Sequence, residues 1–128
     1  MGKKYLIDTN VVIYLLKGNL PQKTLSLIEP LFENKINFSV INKIELLSHR
    51  NAAPEETYNV QKLIDQSDVH PLNDSIADMS IEVRKKYSVK LADAIIAATA
   101  IVHQYVLVTR NVKDFEKIPE LETYNPFE

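Results

Sequence analysis

The 128-residue chain has no cysteine. That excludes disulfides and thiolate metal sites, and it fits a reducing compartment. The three histidines, His49, His70 and His103, are scattered and form no His-x-x-x-His pair, so a zinc site of that kind has no ligands here. A basic excess is missing too. Lys and Arg number 15 against 17 for Asp and Glu, giving a formal net charge of -2. Such a balance does not favour nucleic-acid binding, although a local basic rim can still guide a polyanion. No apolar run is long enough to span a bilayer. Residues 5–16 follow Lys3-Lys4 but are interrupted by Asp8 and Asn10, and no small-residue cleavage site follows, so they do not read as a signal peptide. Met1-Gly2 lacks the Ser or Thr at position 6 that the myristoylation pattern wants. A cytoplasmic protein with no membrane partner is the expectation.

Hydrophobic residues make up 45% of the chain and charged residues 25%, enough for one packed domain without wholesale disorder. Periodicity predicts strands over residues 4–8, 36–40, 69–72 and 105–108, and an edge strand over 121–124. Thr9-Asn10 reads as a turn before a short helix over 11–16 that Gly18-Asn19 stops. Pro21 should open the next helix at its first position, with Pro30 kinking or ending it. Further helices are predicted over 42–49, over 55–66 with Tyr58, Leu63 and Ile64 inward, and after an Asn73 or Asp74 cap with Ile76, Met79, Val83 and Tyr87 as its apolar stripe. Residues 91–102 are apolar nearly all round, as in a helix buried on several sides, and Asp93 is their one charge. Alternating strands and helices imply an α/β domain with a mostly parallel sheet, whose sites form beyond the carboxyl ends of its strands.

Four acids fall at such places: Asp8, Glu45, Asp93 and Asp114. Each has an ordinary explanation. Asp8 suits a turn that accepts local N–H groups. Glu45 lies three after Asn42, at capping-box spacing. Asp93 suits the positive end of a helix dipole, and Asp114 suits a surface turn. Asp93 resists that explanation hardest, because its neighbours are apolar and no Lys or Arg stands at 96 or 97 to pair with it. Two carboxylates about 5 Å apart at an effective dielectric of about 20 repel by about 3 kcal/mol. A cluster of four is therefore costly empty and satisfied when filled. Its hard oxygens suit magnesium or manganese, which activate water and clamp a phosphodiester.

The segments Tyr5-Leu6-Ile7-Asp8-Thr9-Asn10-Val11, Ile44-Glu45-Leu46, the run from Leu91-Ala92-Asp93-Ala94 to Ala100, and Val108-Thr109-Arg110-Asn111-Val112-Lys113-Asp114-Phe115 occur in that order. Together they resemble the PIN-domain ribonucleases, and among them the VapC toxins of toxin–antitoxin pairs. The resemblance covers nearly the whole chain. It implies a three-layer α/β/α PIN-like domain with a mostly parallel central sheet, occupying residues 1–128. It implies a magnesium-dependent endoribonuclease (manganese as the other cation) whose acidic quartet is Asp8, Glu45, Asp93 and Asp114, with Asp8 and Asp93 nearest the metal. It also implies RNA as substrate, a homodimer and a VapB-like antitoxin. Asn10, Thr109 and Asn111 are the expected supporting residues, and Glu45 or Asp114 the expected base. Arg110 is the expected phosphate contact, since guanidinium suits phosphate bidentately. The rival reading is a non-catalytic PIN-like module that binds RNA or protein. A phosphotransfer receiver ranks below both, because Thr9 and Asn10 occupy the places where that chemistry wants a second Asp.

Overall fold

The first strand, β1 (Tyr5–Ile7), runs straight into α1 (Thr9–Lys17), because Asp8 caps the helix instead of starting a separate turn. Asp8 keeps an extended backbone (φ -77, ψ 153) and accepts the Thr9 N–H. A computed structural model describes residues 2–18, 20–33 and 35–128 of the chain. The order after α1 is α2 (Gln22–Ile28), a 3-10 turn (Glu29–Phe32), β2 (Asn37–Ser39), α3 (Val40–Leu47), α4 (Pro54–Asp65), β3 (Asp68–His70), α5 (Asp74–Lys86), α6 (Leu91–His103), β4 (Val106–Val108), α7 (Val112–Phe115) and β5 (Thr123–Tyr124).

Local chemistry accounts for most boundaries. Gly18 ends α1 in the left-handed region at φ 71, where glycine carries no Cβ penalty; the expected role of Asn19 lies outside the described residues. Pro21 is the N-cap of α2 and not its first residue. Pro30 lacks an N–H, and the chain tightens there from α into 3-10 geometry. Helix α3 begins at Val40, earlier than expected, because Ser39 and Asn42 form a capping box. Glu45 is thereby released from any capping role. Asn73 caps α5 by accepting the Ile76 N–H. On α4 Ile64 is buried and Leu63 packs partly buried beside it, as expected, together with Val60, whereas Tyr58 is 67% exposed.

All five strands pair in parallel, in the order β3-β2-β1-β4-β5. Alternate side chains leave opposite faces of the sheet. Leu6 and Leu107 pack on one face against Val83 of α5 and Ala94, Ile96, Ala97 and Ala100 of α6. Ile7, Phe38 and Val108 pack on the other against Val11 and Val12 of α1, Leu46 of α3, and Val60 and Ile64 of α4. Three layers result, α/β/α, with every strand residue of β2 and β4 buried. The winding reverses between β1 and β4, so Asp8 and Thr109 stand side by side at the carboxyl ends of the two strands that flank the switch point.

Candidate active site

Asp8 is 6% exposed, and both its oxygens are engaged. Oδ1 accepts the Thr9 backbone N–H at 2.9 Å and Asn42 Nδ2 at 3.4 Å. Oδ2 accepts the Thr109 hydroxyl at 2.8 Å and Asn10 Nδ2 at 3.4 Å. Each oxygen thus has one short bond that fixes it and one long, weak bond that can yield to another partner. Burial pushes the Asp8 carboxyl up to about 6; the Thr109 and Thr9 bonds pull it down, and the charges of Glu45 and Asp93 push it up further.

Asp93 sits in the first turn of α6 and is half-buried among the apolar neighbours that implied its burial. Its carboxyl is raised by burial first, then by the charges of Asp114 and Glu45. The charge of Lys90, three residues earlier, opposes this and is the smallest of the four influences. Glu45 is exposed on α3, and its Oε1 accepts the Thr9 hydroxyl at 2.6 Å. Asp114 is exposed on α7, a short helix that periodicity did not reveal.

The charges of Glu45 and Asp93 thus bear on Asp8, and those of Glu45 and Asp114 bear on Asp93. Among the described residues, however, no three His, Cys, Asp or Glu side chains stand close enough together to form a ready cation cage. The donor set suits a hard divalent ion that keeps much of its water, since magnesium is commonly held by one or two carboxylates and not by an all-protein shell. The two 3.4 Å bonds on Asp8, from Asn42 and Asn10, are the ones such an ion would replace.

The remaining expected residues surround this carboxylate. Asn10 bridges outward, donating to Asp8 and accepting the Arg110 N–H at 3.3 Å. Asn111 contributes through its backbone, whose N–H donates to the Thr109 hydroxyl at 2.9 Å. Among the described residues Arg110 pairs with no carboxylate; its guanidinium lies over the rings of Tyr14, 4.3 Å from the centroid, and Phe127, at 5.5 Å. Asn42 was missed in the sequence. It is fully buried, accepts the Ser39 N–H, and donates to Asp8 and to Thr9. The signal was present as Ser39-x-x-Asn42 at a strand end, a capping-box spacing.

Comparisons with known proteins agree with this picture. The PIN domain family model matches residues 5–121. A protein of Rickettsia bellii named Ribonuclease VapC is 25% identical over 123 residues, which are 91% of this chain and 92% of that protein. A toxin-antitoxin complex from Klebsiella pneumoniae contains a chain with a TM-score of 0.80 and 28% identity, covering 98% of this chain and 99% of its own. The DNA-bound VapBC structure from Salmonella typhimurium matches with a TM-score of 0.81 and 26% identity, over 98% of this chain and 99% of that one.

Proposed function

The chain belongs to the PIN domain family, and from that premise we propose that it is a VapC-like endoribonuclease, the toxin of a toxin–antitoxin pair, dependent on magnesium or manganese. The observation that carries this reading is the buried Asp8 carboxylate at the switch point of the sheet, fixed by Thr109 from the neighbouring strand end and joined through the Thr9 hydroxyl to Glu45. Asp8 and Asp93 would hold the cation, with Glu45 and Asp114 close by. Bound there, it supplies a Lewis acid for the phosphodiester oxygens and a lowered pKa for water.

The chain's own groups do the rest. The Thr109 hydroxyl and the Thr9 N–H fix the Asp8 carboxylate, so that its two oxygens present a constant face. Glu45 is held through Oε1 by Thr9, which leaves Oε2 to take a proton from the attacking water; Asp114 is the other candidate for that role. Arg110 offers its guanidinium to a substrate phosphate.

The antitoxin reading rests on the complexes to which the chain is similar; the proposed partner is a VapB-like protein, and the proposed location is the cytoplasm. No helix among the described residues is long and apolar enough to cross a membrane. A homodimer is supported by α5. Ile81 is 56% exposed in a groove it shares with Leu72 and Leu91, 48% and 57% exposed. Asp78 stands one turn before Ile81, and Arg84 and Lys85 one turn after it. A two-fold axis through Ile81 sets the acidic end of one helix against the basic end of its twin.

RNA cleavage by the purified protein tests the proposal. Cleavage should require magnesium, stop in EDTA and be lost in Asp8→Asn, which keeps the helix cap and removes the charge. Binding of RNA without any cleavage would favour the non-catalytic module, and full activity in EDTA would overturn the metal-dependent reading.

A further inference from the structure

One face of α1 carries Asn10, Tyr14 and Lys17, spaced i, i+4, i+7. All three are tied to Arg110 or to the ring beneath it. Asn10 Oδ1 accepts the Arg110 N–H at 3.3 Å. The Tyr14 ring lies 4.3 Å from the Arg110 guanidinium carbon. Lys17 Nζ lies 5.8 Å from the centroid of the same ring. Phe127, from the far end of the sequence, closes the arrangement, 5.5 Å from the guanidinium carbon and 5.5 Å from Tyr14, ring to ring. Among the described residues the salt bridges are Lys3–Glu122 and Lys35–Asp68, and within that set neither Arg110 nor Lys17 pairs with an acid. Arg110 is exposed while the two rings beside it are partly buried. Two cations, one of them resting against two mutually packed aromatic rings, thus lie beside α1, starting one residue from the Thr109 that binds Asp8.

We propose that Tyr14 and Phe127 form an aromatic cradle that holds the Arg110 guanidinium ready for a backbone phosphate of single-stranded RNA next to the scissile one, with Lys17 receiving the phosphate beyond. The inference rests on the ribonuclease reading and adds to it the path of the strand. A planar guanidinium stacked on rings keeps its N–H edges turned outward in a fixed fork, which suits phosphate oxygens. Arginine on a flexible tether would lose that pre-organisation on binding. Both cations lie against one ring, Arg110 at 4.3 Å and Lys17 at 5.8 Å from the Tyr14 centroid, and they flank a site whose own charge is negative. A polyanion brought to four carboxylates needs such a counter-charge at the rim. Tyr14 and Phe127 are positioning residues in this scheme, because they act through Arg110.

The test uses a fluorescein-labelled single-stranded RNA of mixed sequence and the full chain in EDTA, so that binding is read by anisotropy without cleavage. Arg110→Ala should weaken binding about tenfold and reduce the slope of log Kd against log salt by about 0.7, the loss of one phosphate contact. The pair Tyr14→Ala and Phe127→Ala should weaken it by a similar factor in the parent and have no further effect in Arg110→Ala. Tyr14→Phe, which keeps the ring, should bind like the parent, and Arg110→Lys should recover the salt slope but only part of the affinity. Parent-like binding by Arg110→Ala, or by the paired ring variants, would overturn the cradle. If the parent still cleaves RNA with magnesium in that case, the ribonuclease reading stands while the cradle falls. A parent that neither binds nor cleaves RNA overturns both.

Discussion

Asp8 is raised to about 6 chiefly because it is buried, and the shift has a sign that can be read in solution. A carboxyl with a raised folded-state pKa binds its proton more tightly folded than unfolded. Its contribution to stability is therefore complete below about pH 4 and is lost as the pH rises through about 6. A shift of about two units corresponds to about 3 kcal/mol. In EDTA, urea unfolding of the parent should show that loss between pH 4 and pH 7 relative to Asp8→Asn, which cannot ionise and still caps α1. At pH 7 without metal, Asp8→Asn should be the more stable of the two; a less stable variant would show that the charge is structurally required. At this scale the sequence spoke clearly about identity and poorly about support. An Asp ending a hydrophobic strand is visible, whereas Asn42 reaches Asp8 from 34 residues away, a pairing that only the parallel register of β1 on β2 creates. Arg110 was legible as a cation near the site, and its aromatic neighbours were not, because Tyr14 and Phe127 lie far apart along the chain.

Elements with strong punctuation or strong periodicity were legible. Gly18 ends α1 where expected, and the run in α6 is buried from Ala94 to Ala100 as its composition implied. Since nothing lies within 4 Å of a Cβ built at Gly18, the only cost of Gly18→Ala is its backbone at φ +71. Thermal or urea unfolding should show a loss of about 1 kcal/mol, with RNA cleavage unchanged, because Gly18 lies at the opposite end of α1 from Asp8. A variant as stable as the parent would contradict the strained cap. Harder to read were elements whose signal competes with another. Val40 fits a strand by alternation, yet the Ser39–Asn42 box starts a helix there. Tyr58 fits a buried aromatic by type, yet the face of α4 that meets the sheet is set by Val60 and Ile64. Helix α7 is four residues long, too short for periodicity to show, and it carries Asp114.

For the whole molecule, the alternation of strands and helices was enough to anticipate an α/β domain with a mostly parallel sheet, the family resemblance implied its three layers, and the strands prove to be parallel throughout. What the sequence does not state is the order of the strands, and that order makes the site. With β1 central between β2 and β4, one sheet edge collects Asp8, the start of α3 and the Thr109–Asp114 segment. The two-fold pairing proposed through α5 also belongs to this scale. Ile81→Asp should convert a dimer to a monomer in light scattering at micromolar concentration, with the melting curve of the monomer retaining one cooperative transition; an unchanged mass would place any self-association elsewhere. The central claim is that the acidic edge is a hard-cation site, and manganese binding followed by electron paramagnetic resonance tests it without relying on turnover. The parent should bind Mn2+ in competition with Mg2+, Asp93→Asn should bind more weakly, and Asp8→Asn should leave the ion free in solution. Equal binding by the parent and both variants would contradict it.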